Sequence, residues 1–330
     1  MSMGAAVVGL GVGEAHARAY AALPECRLKW VYDLDSDRAA AFARTIPGSE
    51  VAPNFQSILA DADIDVVSIA SYDDAHFAQV VEALDAGKHV FVEKPLCRTV
   101  EELRVIRRQQ AAARRQLGSN LVLRAAPLYR WLRAAIRAGD FGDIYAFDGE
   151  YLYGRLEKIT DGWRRTVEDY SVIEGGGIHL IDLMLWLTGQ APARVTAAGN
   201  RFCTAGTEFR YQDYQAATFV FPSTLVGRIT ANFGCVHHHQ HVVRVFGTKA
   251  TFLYDDQGPR FYTSRAEPAR RIDLSPLAES KGALIPSFIH DVIGRVDRAD
   301  ATQHEFDVVS VCIAADRAAR TGDAIDVDYV

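Results

Sequence analysis

An apolar run near the start of this 330-residue chain, Ala5-Ala6-Val7-Val8, passes at once into Gly9-Leu10-Gly11-Val12-Gly13 and then into Glu14-Ala15-His16. A strand that meets closely spaced glycines and then a helix is the turn of a dinucleotide fingerprint. Glycines let the backbone approach a pyrophosphate, and the free amides at the helix N-terminus face its charge. The spacing is Gly-x-Gly-x-Gly, one residue tighter than the usual fingerprint, so the turn alone also fits a glycine-rich connection that binds nothing. Asp33 tips the balance. It closes the second apolar run, 24 residues after Gly9, where a carboxylate accepts hydrogen bonds from the adenosine ribose and repels a 2′-phosphate. A nicotinamide dinucleotide site follows, with NAD preferred; NADP stays open because Arg38 could offset the repulsion.

The alternation that starts there continues to about Leu123. Strand-like runs (Ala5–Val8, Leu28–Tyr32, Val66–Ala70, Val90–Val92, Asn120–Leu123) are separated by amphipathic stretches such as Asp37–Arg44, Ala75–Ala86 and Val100–Arg115, the pattern of a parallel α/β sheet. Thr99 with Glu102 makes a capping box, and Gly87 stands where the preceding helix should stop. Beyond Leu123 the rhythm changes. After a helix at Pro127–Ala138, strands dominate: Ile144–Tyr153, Tyr214–Phe221, Leu225–Phe233, Val242–Phe246 and Thr251–Tyr254. These predict a large open, mostly antiparallel sheet, covered on one side by helices at Ile178–Leu187, Ser287–Ile293 and Phe306–Arg320. The fold class is therefore α/β: an N-terminal Rossmann dinucleotide-binding domain over residues 1–123, and a C-terminal α/β domain over 124–330.

Composition narrows the function. A formal charge of -6 argues against a generic nucleic-acid binder. No apolar run approaches the ~20 residues of a membrane span, and the first residues lack the basic head of a signal peptide. The five cysteines (Cys26, Cys97, Cys203, Cys235, Cys312) are odd in number and scattered, which fits a reducing cytoplasm.

Where Val90-Phe91-Val92 runs into Glu93-Lys94-Pro95, the sequence resembles the glucose-fructose oxidoreductase / inositol dehydrogenase / rhizopine-catabolism (Gfo/Idh/MocA) family. The likeness extends through the Gly9–His16 turn, Asp33, the Ala70–His76 loop, the Gly175-Gly176-Gly177-Ile178-His179 segment and Ala314–Gly322. It implies cofactor contacts from Gly9, Leu10, Gly11, Val12, Gly13, Asp33, Ala70, Ser71, His76, Glu93 and Lys94, with His76 packing near the nicotinamide. It also implies a cis bond before Pro95, with Lys94 beside the reacting hydroxyl and His179 as general base on that hydroxyl. Imidazole, titrating near neutrality, suits that role. One departure stands out: the family has an Asp four residues before this histidine, and here that position is Gly175. Asp182, one helical turn on, is the first candidate to orient His179, and Glu174 the second.

Weaker substrate candidates are Trp163, Arg164 and Tyr170, upstream of the glycines, and Asn120 and Arg124 where the chain leaves the first domain. His237-His238-His239-Gln240-His241 would put His237, His239 and His241 on one face of a strand, a spacing that can hold zinc; hydride transfer with a lysine and a histidine needs no metal, so none is expected. A sugar-contacting strand, an interface strand and a solvated face all remain open for this segment. The functional expectation is an NAD(P)-dependent dehydrogenase or reductase acting on a CH–OH group of a sugar, cyclitol or nucleotide sugar. The alternatives are a relative that recycles tightly bound NAD, glycosidase-like or sugar–sugar oxidoreductase, and a non-catalytic cofactor- or sugar-sensing regulator. A homo-oligomer, dimer or tetramer, is expected through the open sheet, with Tyr151, Tyr153, Phe219 and Phe221 contributing.

Overall fold

The computed structural model describes residues 2–330, which form two compact units. One comprises the chain up to Val122 with Ala278–Phe306 and Val330; the other comprises Leu123–Leu277 and Asp307–Tyr329.

The first unit begins as the glycine pattern requires: β1 (Met3–Val8), α1 (Gly13–Ala21), β2 (Cys26–Tyr32), α2 (Ser36–Ala43), β3 (Glu50–Val51), α3 (Phe55–Ala60), β4 (Val66–Ile69), α4 (His76–Asp85), β5 (His89–Val92), α5 (Val100–Ala113) and β6 (Leu117–Ser119). The six strands pair in the order β3-β2-β1-β4-β5-β6, all parallel. Helices on both faces bury such strands twice over, hence their continuous apolar runs. Strand order reverses between β1 and β4, where the crevice beyond the strand ends takes ligands in folds of this kind. Thr99 Oγ1 accepts from the Glu102 amide at 3.1 Å, but Glu102 Oε2 reaches back to the Arg98 amide at 2.9 Å, one residue before the cap.

The last strand lies earlier than the apolar run Asn120–Leu123 predicted. Leu117, Gly118 and Ser119 pair with Val90, Phe91 and Val92, and Val122–Ala125 is a single 3₁₀ turn. A short apolar run cannot by itself tell a strand from a buried turn. Gly118 settles the register, because a Cβ there would meet Phe288 Cδ2 at 2.9 Å and Phe91 Cδ2 at 3.2 Å.

The second unit contains α6 (Pro127–Arg137), β7 (Ile144–Leu152), α7 (Glu157–Thr160), α8 (Ile178–Thr188), β8 (Arg194–Asn200), β9 (Tyr214–Val220), β10 (Val226–Asn232), β11 (Gln240–Gly247), β12 (Thr251–Asp255), β13 (Gly258–Tyr262) and β14 (Arg270–Arg271). The chain then runs through α9 (Ile285–Ile293) and α10 (Ala299–Thr321) to β15 (Ile325–Asp326). The nine strands form one sheet, β14-β13-β12-β11-β7-β10-β9-β8-β15. It is antiparallel except where β10 runs parallel to β7. Strands β8, β13, β14 and β15 escaped the sequence reading; β13 opens on Gly258-Pro259-Arg260, and β14 and β15 are two residues each.

Helix α8 lies on β7 and β10, with α6 against it. Tyr151, Tyr153, Phe219 and Phe221, expected at an interface, are only 0–5% exposed; they are core residues and cannot join subunits without unfolding. Among the residues of alternate phase, Arg228 pairs with Asp148 at 2.8 Å and Arg244 with Glu150 at 2.6 Å. A second correction concerns α9, predicted to cover this sheet. Its buried Ile285, Phe288, Ile289 and Val292 belong instead to the core of the first unit, with Val7, Leu10, Tyr20 and Phe91. The spacing i, i+3, i+4, i+7 makes one apolar face, and each such side chain contributes about 1.5–3 kcal/mol when fully buried.

Candidate active site

Within the first unit the glycine turn forms a cradle. Gly9 has φ +83°, and a Cβ there would overlap the Ala70 carbonyl and stand 2.8 Å from the Ser71 amide nitrogen, so only glycine fits. A Cβ on Gly11 would meet nothing within 4 Å, leaving the backbone bare toward open space. Gly13 begins α1 close against Val7 and Ala70, where a Cβ would stand 3.1 and 3.2 Å from their side chains. Val12 is half-exposed at the helix start, while the Leu10 side chain is buried. The Leu10 amide donates to Asp33 Oδ2 at 2.6 Å, and Asp33 Oδ1 accepts from the Asp35 amide at 2.9 Å. The carboxylate is thus held by backbone, with lone pairs left for ribose hydroxyls. Arg38 Nη1 lies 3.9 Å from Asp33 Oδ2. Bare glycine backbone, a helix N-terminus and a fixed carboxylate fit a dinucleotide.

Lys94 follows β5 in a turn with a cis Lys94–Pro95 bond. Two anchors hold this turn. His76, at the start of α4, places Nδ1 2.7 Å from the Pro95 carbonyl and Nε2 3.2 Å from the Ser71 carbonyl, tying the loop after β4 to the turn after β5. Ser71 Oγ donates to Gln79 at 2.7 Å. Glu93, 9% exposed, accepts from the Asn120 amide at 2.6 Å and lies 3.3 Å from His16 Nε2, while its Oε2 takes the Lys94 amide at 3.3 Å. His16 Nδ1 is 2.8 Å from Ser68 Oγ, and Asn120 Nδ2 also donates to the Lys281 carbonyl at 2.8 Å. Asn120 therefore spends its amide on Glu93 and Lys281. The acid–histidine pair His16–Glu93 was missed from sequence; a histidine on the buried face of α1, three residues after the last glycine, was its only signal.

Burial would raise the pKa of Glu93, but the His16 and Asn120 hydrogen bonds and the charges of His16 and Lys94 outweigh it and hold the carboxyl at about 2, below the ordinary 4.5. For His89, burial and then the Arg115 charge lower the ring to about 4 from 6.5, and its Nδ1 accepts from the Gln116 amide at 3.0 Å. Both folded-state values are depressed, so as pH falls the unfolded chain takes up protons first and stability is lost. The melting temperature is expected to fall as pH drops from about 6.5 toward 4 through His89, and further from about 4.5 toward 2 through Glu93. His89→Gln should flatten the first slope; a melting temperature level from pH 7 to 4 would contradict this account.

In the second unit, His179 stands at the start of α8, 7% exposed. A π-helical turn, Ile173–Gly177, leads into that helix; such single turns are frequent at functional sites. Two of the three glycines, Gly175 and Gly176, let rings press on bare backbone. A Cβ on Gly175 would overlap the Tyr170 hydroxyl and stand 2.7 Å from its Cζ, and one on Gly176 would stand 2.8 Å from Phe233 Cε2. Residues four apart share a helix face about 5–6 Å apart, so the Tyr170 hydroxyl occupies the volume of a side chain one turn before His179. Arg164 Nε donates to that hydroxyl at 2.9 Å, and Trp163 meets the Tyr170 ring edge-on at 6.4 Å.

The His179 ring stacks on Tyr151 at 6.3 Å and meets His241 edge-on at 5.8 Å. His239 and His241 each lie 5.2 Å from Tyr151. The expected shared face of His237, His239 and His241 does not form, because β11 begins only at Gln240. His237 turns instead to Asp256, 3.2 Å away, and His237, His238 and Asp256 bring ligand atoms within 4.8 Å of one another. Asp182, expected to orient His179, is 1% exposed and gripped by Arg124, whose Nε lies 2.9 and 3.0 Å from its two oxygens. Glu174, also buried, lies by α10: burial, and next the Glu174 charge, push the Cys312 thiol well up. Arg155 brings its guanidinium 4.6 Å from the Tyr153 ring centroid.

Residues 3–120 match the family model described as "Oxidoreductase family, NAD-binding Rossmann fold" (GFO_IDH_MocA), and residues 129–253 match "GFO/IDH/MocA C-terminal domain". The chain is 26% identical over 323 residues to an inositol 2-dehydrogenase of Acidothermus cellulolyticus, covering 96% of this chain and 91% of that one. It is 31% identical over 194 residues to a UDP-N-acetylglucosamine 3-dehydrogenase of Acidithiobacillus ferrooxidans, covering 58% and 56%. Its fold is similar to that of levoglucosan dehydrogenase in complex with NADH, with TM-score 0.88 at 20% identity and 100% of each chain covered.

Proposed function

Because this chain belongs to the Gfo/Idh/MocA family of oxidoreductases, with both of that family's domains, we propose that it transfers a hydride between a nicotinamide cofactor and a secondary alcohol or ketone of a sugar, cyclitol or nucleotide sugar. The observation that carries this reading is the pairing of the Gly9–Gly13 cradle with the Glu93-Lys94-Pro95 turn, each built by buried contacts of the first unit. When bound, the nicotinamide supplies the hydride acceptor or donor. The rest falls to the chain. A carbinol becoming a carbonyl must lose its hydroxyl proton, and we assign that proton to an imidazole nitrogen of His179. The Lys94 ammonium, on its anchored turn, donates a charge-assisted hydrogen bond to the oxygen as it gains negative charge. Trp163, Arg164 and Tyr170 supply substrate contacts, a ring for a sugar's apolar face and donors for its hydroxyls.

Screening sugars, cyclitols and nucleotide sugars with NAD tests the proposal by the absorbance of free reduced cofactor. Release of reduced cofactor supports a dehydrogenase; substrate conversion without any release indicates a recycled cofactor, and no conversion across the panel counts against the proposal. NAD is proposed over NADP because Asp33 would face a 2′-phosphate. NAD is expected to bind the tighter in titration, and Asp33→Ser to narrow or reverse that preference; tighter NADP binding by the parent protein would remove Asp33 from this role.

A homo-oligomer is proposed through the residues of alternate phase on the nine-stranded sheet, such as Ala216, Thr218, Thr230 and the flanking Arg228–Asp148 pair, in place of the buried aromatics. A monomeric mass in light scattering would refute it. A cytoplasmic setting is proposed on the five free cysteines; no described helix is long and apolar enough to cross a membrane.

A further inference from the structure

The strand spacing offered His237, His239 and His241 as one group of ligands; the fold assembles a different group. Asp256 stands in the two-residue turn between β12 and β13, where Asp255 pairs with Gly258 and its Oδ1 accepts from the Gln257 amide at 3.0 Å. His237 and His238 lie just before β11, in the same unit. Gly154, at φ +58°, sets the place of this lead-in: a Cβ there would overlap the His237 carbonyl, so the chain crosses bare backbone.

The His237 ring is oriented from both sides. Its Nδ1 lies 2.8 Å from the His238 carbonyl; a carbonyl only accepts, so Nδ1 carries the hydrogen, and in the neutral ring Nε2 presents a lone pair. That lone pair faces Asp256 Oδ2 at 3.2 Å, acceptor against acceptor. His238 sends its own Nε2 toward the other oxygen, Oδ1, at 3.9 Å, and the two rings stack at 4.2 Å. A proton on His237 answers for one of these contacts. A divalent cation answers for both, with both rings neutral. All three ligand atoms lie within 4.8 Å of one another, and bonds of about 2.0–2.1 Å at tetrahedral angles set ligand atoms about 3.3 Å apart, so small side-chain rotations close the shell. A ring N–H given to a backbone carbonyl is also the outer bond that fixes a metal-bound histidine. The side chains of His237, His238 and Asp256 are 27%, 70% and 63% exposed, open enough for an ion to enter and for water to complete its coordination.

We propose that His237, His238 and Asp256 bind one divalent first-row transition metal of the zinc class, which clamps the lead-in to β11 onto the β12–β13 turn. Two imidazoles and one carboxylate select such ions over magnesium or calcium, which take oxygen shells. The site takes no part in the proposed proton and hydride steps, so it stands or falls apart from the oxidoreductase reading.

The experiment is isothermal titration of the full chain with zinc chloride, the protein being free of any histidine tag and first stripped with a chelator. One ion per chain is expected to bind with a Kd of about 10 μM or tighter, and equal concentrations of magnesium or calcium chloride should not displace it. Loss of an outer-shell partner already costs about 10-fold or more in affinity, so His237→Ala, His238→Ala and Asp256→Asn should each weaken binding by at least that factor. Circular dichroism shows each variant folded, and all three positions are exposed enough to change without disturbing the core. Cys235 is two residues away and Cys203 lies against Gly234, so the Cys203→Ser, Cys235→Ser double variant serves as the control and should bind zinc as the parent does. Cobalt chloride supplies a readout that needs no variant: the visible absorption of a four-coordinate nitrogen–oxygen shell without a thiolate band. Zinc binding only above about 1 mM, binding unchanged in all three ligand variants, binding lost in the cysteine variant, or displacement by magnesium or calcium would each overturn the inference.

Discussion

Replacing Lys94 or His179 with alanine is expected to cut turnover by about 10²-fold or more, the usual scale for a positioned acid–base group. Hydride cannot leave a carbinol carbon unless the hydroxyl proton leaves too, so loss of the base stalls the step whatever the affinity for cofactor. Loss of the ammonium leaves the developing oxyanion without its charge-assisted partner. In the proposed mechanism the two residues serve one proton-transfer event, so the double variant should lose far less than the product of the single losses. Cofactor binding, titrated separately, should change little in either variant, since the Gly9–Gly13 turn and Asp33 are untouched. Near-normal turnover by His179→Ala on a substrate found by screening would move the base elsewhere, with Lys94 itself the next candidate.

Arg124→Ala is expected to be the most costly of the substitutions considered for folding. Asp182 is 1% exposed and Arg124 16% exposed, and taking the cation from a buried pair leaves a carboxylate that can neither reach water nor keep its partner. The expected loss is about 3–5 kcal/mol, read from the denaturant midpoint at constant slope. Replacing both residues at once, Arg124→Met with Asp182→Leu, should recover most of it, because apolar side chains carry no desolvation cost there. A loss under about 1 kcal/mol is the behaviour of a solvated surface pair and would return Arg124 to the substrate candidates. The same geometry explains why Asp182, one turn from His179 and the natural choice to orient it, is engaged by another partner.

Glu174 and Gly175 show the limit of spacing arguments from the other side. The sequence poses a question, a glycine where the family has a carboxylate, and suggests another carboxylate as the answer. In the fold, Tyr170 comes up from the preceding loop and puts its hydroxyl where a side chain at 175 would stand. No periodicity connects residues 170 and 175 across a π-helical turn. The His16–Glu93 pair escaped for a related reason, since a lone histidine on a helix looks the same in sequence whether it is solvated or paired.

What the sequence determined by itself are the features governed by chain-local physics. The glycine turn, the helix stop at Gly87 and the capping Thr99 follow from backbone sterics and orphan helix-end amides. The parallel α/β class of the first unit follows from alternating strand and helix periods; the strand order does not. The tertiary structure decided everything that depends on which apolar face meets which core. Periodicity marks Ile285, Phe288, Ile289 and Val292 as one buried stripe; that the stripe closes over the first unit's sheet, far back in the chain, depends on shape and volume that no local spacing carries. The same holds for the face of Tyr151 and Tyr153. Alternation says that one side of a strand is buried, and only the packed helix says by what.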